Sequence, residues 1–465
     1  MIVAIIRSKS VAILLGPSGF GVLNMLLTSL GLISSLTNFG IDTSAVKDIS
    51  NSYVKKDLNR ISIVYSVIHR LVKLTGLIAV IIVIIFSNHI SLITYGNDDY
   101  NTSIILVSFT LLLDQMTKGK RVILQGTRNL RFLAKSTMLS SVTTLGISLP
   151  LYYVMGVDGI IPSLIVGSLI SYLIARYYVS KLKIVTVKVT LNEVFGIGAD
   201  MLRMGFLISI SGLLTLLVSF LLKLMIEESG GIVKVGLYSA GYAIITNYVG
   251  LIFNAMGTDY YPRLAAQTDV QTDIVKSVNE QAEMAILILA PVVAILIAFI
   301  ERALVLLYSN DFVAISEMVK WMSLGMLFKA CSWSLSYVFI AHSDKKMFFL
   351  NELSASIYML VFNLFGYYFG GFQGLGISFV ISYLIYFIQV AIVGFKIYNI
   401  SLSSKLFAIL LVQFVLILFL LLITQDEKGF IIIKLLVVSI ITIMSTYLLS
   451  KRIDLLSYIK LRFWK

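Results

Sequence analysis

Long apolar segments separated by short polar loops run through almost the whole chain. A helix needs about 20 apolar residues to cross a bilayer, and windows of this kind recur about fourteen times. All but the first are long enough to span. The windows cover residues 1–15, 20–40, 63–87, 102–124, 133–154, 159–179, 204–226, 236–257, 282–301, 318–340, 352–369, 375–395, 406–424 and 430–449. The pattern predicts an all-α polytopic membrane protein with about fourteen transmembrane helices.

Similar features recur at a constant offset of 215 positions along the chain. Gly21 in GFGVLN corresponds to Gly236 in VGLYSA, and Gly156 in GVDGIIPSLIVGS corresponds to Gly371 in GFQGLGISFVIS. An internal repeat of some six helices is typical of transporters that bind their substrate between two pseudo-symmetric halves.

The repeat also predicts how the chain is divided. Residues 1–180 are expected to form an N-terminal lobe of helices 1–6, and residues 200–400 a C-terminal lobe of helices 7–12. Residues 401–465 have no counterpart in the first copy. We expect them to form accessory helices 13 and 14 and a basic cytoplasmic tail outside two six-helix bundles.

Charge indicates the orientation of the chain in the membrane. The net charge is +13, although only 13% of the residues are charged and 58% are hydrophobic. The loops assigned to the outside contain three Lys or Arg residues against about three times as many acidic ones, and the remaining loops are rich in Lys and Arg. By the positive-inside rule both termini are cytoplasmic. The basic residues are therefore interpreted as an orientation signal and as contacts with anionic lipids, with no nucleic-acid partner.

Charged residues inside the apolar segments are the candidates for function. A charged side chain at the bilayer centre costs about 2.5–3.5 kcal/mol on insertion scales, so such residues usually face a cavity. In the fourth segment, Asp114, Lys118, Arg121 and Gln125 follow the spacing of one narrow helical stripe. We expect this stripe to face inward. The alternative is that Lys118 and Arg121 only extend to the cytoplasmic surface.

Lys329 lies in the middle of the tenth segment, with about ten apolar or small residues on each side. It cannot easily reach an interface, which makes it the strongest single candidate. Gly325, Trp333 and Ser336 share its helical face and predict a small or amphipathic surrounding. Asp114 occupies the position equivalent to Lys329 in the repeat. A switchable ion pair between them, with Asp114 as the candidate for coupling to an ion gradient, is one interpretation; a static pair is the other.

Two more basic positions belong to the first and seventh segments. Arg7 and Lys9 flank position 8, which corresponds in the repeat to Lys223. For Lys223, an equally open interpretation is that its side chain only extends to the membrane interface. Taken together, the buried cations predict a positively charged cleft that binds an anion, with phosphate or pyrophosphate the natural ligand. The cleft would contain Arg7, Lys9, Lys118, Arg121, Lys223 and Lys329.

The sequence lacks the motifs for ATP binding and for metal binding. TKGKRVIL does not have the first glycine or the helix context of a P-loop, so direct ATP drive is not expected. The three histidines share no motif, and no Cys/His cluster predicts a metal site. No cofactor is predicted. The single cysteine, Cys331, is expected to be a buried apolar residue.

With these residues in view, the chain resembles the O-antigen translocase (Wzx-type) oligosaccharide flippases of the multidrug/oligosaccharidyl-lipid/polysaccharide (MOP) exporter superfamily, over roughly residues 5–400. The segments that carry the resemblance are RSKSVAILLGPSGFG at 7–21, LQGTRNLRFLAK at 124–135, VGLYSAGYAIITNY at 235–248, DYYPRL at 259–264 and LLYSNDF with KWMSLGMLFKACSWSLSYVFIA within 306–341.

The resemblance implies a two-lobed, MATE-like helical transporter in the bacterial inner membrane. Such a carrier moves an undecaprenyl-pyrophosphate-linked oligosaccharide, an O-antigen or capsule repeat unit, to the outer leaflet by alternating access, and delivers it to polysaccharide polymerase machinery. It is a transporter and not an enzyme. By position, the basic residues of the family pattern fall on Lys9, Arg128, Lys223 and Lys329, and its turn residues fall on Gly16, Pro17, Gly19 and Gly126.

Other functions compete with this one. A lipid II flippase would share the helix number and the cationic cleft. A MATE-type multidrug antiporter would need acids exposed to a cationic drug, whereas the buried charges here are mostly basic. A membrane polysaccharide polymerase is the alternative from a different class, and a sizeable external loop would be expected for it; no external loop here exceeds roughly 16 residues.

Overall fold

The computed structural model describes residues 2–55, 57–95, 98, 100–182, 184, 187–265, 271–342, 344–424 and 431–451. Within these ranges the chain forms helices joined by short turns, and no strand occurs. The predicted all-α class is therefore confirmed. The helices are α1 (Ile2–Asn38), α2 (Ile41–Val54), α3 (Leu58–Tyr95), α4 (Asn101–Gly126), α5 (Leu130–Met155), α6 (Ile160–Ser180), α7 (Leu191–Ala243), α8 (Leu251–Ala265), α9 (Gln271–Ala298), α10 (Ile300–Leu307), α11 (Ser316–Ala341), α12 (Lys345–Tyr398), α13 (Ser404–Ile423) and α14 (Ile431–Ser450).

Nine helical stretches of the described chain are long and apolar enough to cross a membrane. Three of them, Leu130–Ser180, Ser209–Ala265 and Lys346–Tyr398, have 51, 57 and 53 residues. A helix rises about 1.5 Å per residue and the hydrocarbon core is about 30 Å thick, so each of these stretches is long enough for two crossings. The charged helix α4 is not among the nine. The total of about fourteen crossings stays a prediction.

Glycines with positive φ interrupt or end helices at four positions, which the repeat relates in two pairs. Gly16 and Gly231 have φ of 64° and 74°, with ψ of −171° and 172°. Gly156 and Gly371 have φ of 59° and 54°, with ψ of −132° and −134°. Residues with a Cβ rarely adopt these conformations. The two halves thus share the same backbone breaks at equivalent positions, between windows that the apolar pattern separates.

The described chain folds into two compact units. The first contains the residues up to Gly236 together with Leu307–Ser309, and the second contains the rest. The boundary lies inside α7, because the part of α7 before Gly236 packs within the first unit. The predicted lobe boundaries at residues 180, 200 and 400 are not tested by this division.

Close backbone approach holds α1 and α7 together in the first unit. A Cβ on Gly21 would collide with the carbonyl oxygen of Ile232, and a Cβ on Gly236 would collide with that of Pro17. Gly21 and Gly236 are equivalent in the repeat, so equivalent positions of the two copies meet each other. Contact between equivalent residues is what a local twofold axis between these two helices produces.

Helix α2 packs one apolar face into the first unit. Its apolar side chains Ile41, Ala45 and Ile49 are fully buried in one core cluster with residues of α3, α4 and α6. The spacing of four residues places them on one face of the helix. Packing of this face positions α2 against α4, the helix that carries Asp114, Lys118 and Arg121.

Candidate functional site

The first unit contains a cavity of about 770 Å³ between α1, α4, α5 and α6. Its charged lining residues are Arg7 from α1 and Asp114 and Arg121 from α4. The walls from α5 and α6 are neutral and rich in hydroxyl groups. These hydroxyls belong to Thr137, Ser140, Ser141, Thr144, Ser163, Ser168 and Ser171. The volume lies within the range of about 300–1,000 Å³ that is typical of ligand sites.

A second cavity of about 280 Å³ adjoins the first and shares Asp114, Arg121 and Ser168 with it. Lys118 lines this second cavity, and its Nζ donates a hydrogen bond to Ser34 Oγ of α1 over 3.4 Å. The structure therefore places three residues of the predicted stripe on one continuous wall. Gln125, the fourth residue of the stripe, is exposed and does not line either cavity.

Asp114 lies next to the Ser168 hydroxyl of α6 and in the electrostatic field of Lys118 and Arg121. No ion pair among the described residues includes Asp114. Arg121 Nε is buried and has no hydrogen-bond partner in the described chain. A buried donor without a partner is costly. The cations next to Asp114 therefore keep unused capacity to bind an anion.

The remaining cations of the first unit differ in their surroundings. Lys223 of α7 is only 6% exposed, and its Nζ donates to Thr28 Oγ1 over 2.6 Å and to the Asn24 carbonyl over 3.4 Å. These bonds tie it to α1. Neither Lys223 nor Lys9 is among the residues that line the two cavities. Of the predicted cations, Arg7, Lys118 and Arg121 are the ones that the structure brings to a shared space.

Lys329 of α11 has an aromatic surrounding in the second unit. Its Nζ lies 5.2 Å from the ring centroid of Tyr383 in α12 and 5.8 Å from that of Phe253 in α8. Trp333 packs against Phe253 with ring centroids 5.3 Å apart. Aromatic faces attract a cation, but no hydrogen bond or ion pair among the described residues reaches this ammonium group. The predicted small or amphipathic wall is thus partly replaced by aromatic rings from neighbouring helices.

The apolar pattern singled out neither Lys120 nor Glu352. Lys120 is 7% exposed and donates to Tyr65 Oη over 2.7 Å. Glu352 of α12 accepts a hydrogen bond from Tyr386 Oη over 3.2 Å, beside a buried amide network in which Gln389 donates to Asn351. Glu352 is the first residue of the predicted apolar window 352–369. A charged residue at the start of a window was the sequence feature that could have identified it. Among the residues that the structure describes, no cluster of His, Cys, Asp or Glu could hold a metal ion.

Solved structures share this fold. The lipid II flippase MurJ in an inward closed conformation matches with a TM-score of 0.72 and 14% identity, over 97% of both chains. An inward-facing multidrug resistance MATE family transporter of the MOP superfamily matches with a TM-score of 0.67 and 16% identity, over 88% of this chain and 94% of that chain.

A MOP superfamily transporter from Pyrococcus furiosus, described as having a binding pocket of reverse polarity, matches with a TM-score of 0.56 and 17% identity. The match covers 87% of this chain and 96% of that chain. At these identities the likeness shows the fold, which is that of the MOP superfamily. No curated protein matches the chain in sequence at a significant level.

The sequence itself matches one family model. The model is described as polysaccharide biosynthesis protein, and it covers residues 11–317, which include Asp114, Lys118, Arg121 and all of α10. This range is well over half of the chain. The chain belongs to the polysaccharide biosynthesis protein family, on a MOP-type fold.

Proposed function

We propose that this protein is a flippase for a polyprenyl-pyrophosphate-linked oligosaccharide in the bacterial inner membrane, with both termini in the cytoplasm. It moves an O-antigen or capsule repeat unit to the outer leaflet by alternating access and passes it to polymerase machinery. Membership of a polysaccharide biosynthesis family supports the class of cargo. It acts as a carrier and makes or breaks no covalent bond.

The observation that carries this proposal is the ammonium group of Lys329, which faces aromatic rings without an oxygen partner in the described chain. The side chain of Lys329 is partly buried, and removing an ion from water without compensation costs free energy. A protein keeps such a group when a ligand compensates it. A pyrophosphate supplies oxygen acceptors and negative charge, and charge-assisted bonds to it are about twice as strong as neutral ones.

The cavities of the first unit support the same kind of ligand. Arg7 and Arg121 line the larger cavity, Lys118 and Arg121 line the smaller one, and the acid Asp114 lines both. Arg121 has an unpaired Nε, and a guanidinium suits the geometry of phosphate oxygens. Each unit thus offers cationic groups that the protein itself leaves unsatisfied.

Coupling to an ion gradient belongs to the proposal, with Asp114 as the coupling residue. An anion that binds Lys118 and Arg121 competes with the carboxylate of Asp114 for these cations. Proton uptake by Asp114 would remove this competition. Proton uptake at Asp114 and substrate binding would then be linked, with each state of the cavity favouring one occupant, and such linkage lets a proton gradient bias transport.

The test is flipping of undecaprenyl-pyrophosphate-linked oligosaccharide by the purified protein in liposomes. Lys329→Ala should abolish flipping, and Lys329→Arg should retain part of it, because charge survives while geometry changes. Lys396→Ala, at an exposed position near the end of α12, is the matched control and should flip at the wild-type rate. Flipping by the Lys329→Ala protein at the wild-type rate would refute the proposed role.

A lipid II-type cargo has the same pyrophosphate and differs from the proposed cargo only in its glycan. The composition of the lipid-linked glycan that accumulates in a deletion strain distinguishes the two cargoes. Accumulation of a peptide-bearing disaccharide in place of an oligosaccharide repeat would move the assignment to lipid II.

A further inference from the structure

We infer that the α5 and α6 walls of the 770 Å³ cavity form a sugar-binding subsite, which hydrogen-bonds the hydroxyl groups of the glycan portion of the cargo. This inference rests on the proposed function, and it adds a division of labour within the site. In this division the cations bind the pyrophosphate. The α5 and α6 walls, here called the hydroxyl wall, bind sugar.

Helix geometry directs the hydroxyl groups into the cavity. Thr137, Ser140 and Thr144 follow one another at intervals of three and four residues on α5. Ser163, Gly167 and Ser171 are spaced by four on α6. Residues at these intervals share one face of a helix. Each helix therefore presents a polar face to the same space within an apolar segment.

Close packing brings the two polar faces together. A Cβ on Gly167 would lie 2.8 Å from Thr144 Cγ2, so the glycine lets α6 approach the Thr144 side chain of α5. Ser163 Oγ lies 3.0 Å from Tyr152 Oη, which ties the ends of the two helices that adjoin the Gly156 turn. The wall is fixed before any ligand arrives, and preorganisation of this kind reduces the entropic cost of binding.

The hydroxyl groups of α5 and α6 differ in their hydrogen bonds. Serine and threonine hydroxyls in these helices commonly donate to a carbonyl three or four residues earlier; Thr143 donates to Leu139 over 2.7 Å and Ser141 donates to Thr137 over 2.9 Å. Four hydroxyls of the cavity wall have no hydrogen-bond partner within the described chain. They are those of Thr137, Ser140, Thr144 and Ser171.

Ser140 gives the sharpest indication of a ligand. It is 3% exposed, lines the cavity, and its Oγ is buried without a hydrogen-bond partner in the described residues. Leaving a buried polar group unsatisfied costs about 1–3 kcal/mol. A ligand that fills the cavity and bonds to this hydroxyl recovers that energy.

The chemistry of the wall selects a polyol. Each hydroxyl is both a donor and an acceptor, as is each hydroxyl of a sugar, so the two surfaces can exchange bonds in either direction. A phosphate offers acceptors without donors and is better served by Arg7 and Arg121 on the walls from α1 and α4. The apolar lining residues, including Leu133, Met138 and Leu164, suit the C–H faces of a sugar ring.

The inference is tested by measuring the binding of two probes to the purified full-length protein. The probes are undecaprenyl pyrophosphate and the same lipid carrying a neutral disaccharide of N-acetylglucosamine. The wild-type protein should bind the second probe more tightly. Ser140→Ala with Thr144→Val should raise its Kd about five- to fiftyfold, since a net hydrogen bond contributes about 0.5–1.5 kcal/mol. The Kd of the bare lipid should stay within about twofold.

Thr143→Val is the matched control. It removes a hydroxyl from the same helix that already donates to its own backbone, and both Kd values should stay at the wild-type level. Thr137→Val with Ser171→Ala removes the other two free hydroxyls and gives an independent measurement. Thermal unfolding of each protein checks that it is folded.

The outcomes separate the two proposals. Loss of the glycan-dependent affinity in either pair of substitutions supports the subsite. If both folded pairs keep that affinity while Lys329→Ala loses the bare lipid, the subsite is refuted and the flippase assignment stands. Equal affinity of the wild-type protein for the two probes also refutes the subsite. Failure of the wild-type protein to bind either probe refutes both.

Discussion

Asp114 and Lys329 occupy equivalent positions of an internal repeat but have opposite charges and contrasting surroundings. Asp114 lies on a wall with two cations and faces hydroxyl-bearing helices. Lys329 has two aromatic rings within 6 Å and no oxygen partner in the described chain. Elsewhere the two copies share backbone breaks, because Gly16 in α1 and Gly231 in α7 have nearly the same φ and ψ. The repeat thus preserves where helices break, while each half has acquired its own side-chain chemistry.

The difference favours a division of tasks between the two positions. A cation that depends on a ligand for compensation is suited to holding an anionic headgroup. An acid among cations can instead exchange them with a ligand or exchange a proton with water. Under the proposed function, Lys329 is the binding group and Asp114 is the group that changes state.

The largest expected effect comes from neutralising Lys329 in binding measurements. Lys329→Met keeps much of the side-chain volume and removes the charge. We expect the affinity for undecaprenyl pyrophosphate to fall about 10- to 100-fold, because a hydrogen bond to a charged group contributes about 1.5–3 kcal/mol. Isothermal titration in detergent measures the change. An unchanged Kd would mean that the aromatic pocket of Lys329 serves folding. The difference between Lys329 and Asp114 would then not reflect a difference in function.

The next effect should separate the two cations on α4. Arg121 lines both cavities and has a buried Nε without a partner among the described residues, whereas Lys118 lines the smaller one and already bonds Ser34. Arg121→Gln should therefore weaken binding of the bare lipid about tenfold, and Lys118→Gln about threefold. The reverse order would show that the anion binds in the smaller cavity.

Substitutions at the break glycines should have equal effects in the two halves. A Cβ at Gly16, Gly156, Gly231 or Gly371 would meet no atom within 4 Å, so alanine there tests the backbone conformation alone. We expect each alanine to cost about 1–2 kcal/mol of stability, with the members of a pair within about 0.5 kcal/mol of each other. Thermal unfolding of the four variants measures this. Unequal costs within a pair would show that equivalent glycines of the repeat do not contribute equally to stability.

The features that local geometry determines were predictable from the sequence. Helical spacing alone brought Asp114, Lys118 and Arg121 to one face, and the apolar windows ended near the four break glycines. Sequence reasoning missed features that depend on neighbouring helices. Tyr383 and Phe253 come to Lys329 from α12 and α8.

The hydroxyl wall was missed for the same reason. Serine and threonine are frequent in apolar segments, and the sequence does not distinguish Thr143, which bonds its own backbone, from Thr144, which has no partner in the described chain. Only the packing of α5 against α6 makes that distinction. The separate roles of Arg7 and Lys9, two residues apart in α1, depend on tertiary packing as well.

The smallest expected effect concerns pH and is the most direct test of the task assigned to Asp114. The groups around its carboxylate are Lys118 and Arg121 on α4 and the Ser168 hydroxyl on α6. When Asp114 takes up a proton, its negative charge no longer competes for the two cations. Affinity for undecaprenyl pyrophosphate should therefore rise, about two- to fivefold, as the pH falls through the titration of Asp114. Asp114→Asn fixes the neutral state, so its affinity should equal the low-pH wild-type value at every pH, and its flipping should no longer respond to an imposed proton gradient. Arg121→Gln removes one of the contested cations and should reduce the wild-type pH slope without abolishing it. If flipping by Asp114→Asn keeps the wild-type response to the gradient, Asp114 is a static partner of its neighbouring helix, and the search for the coupling group moves to Glu352 in the second unit.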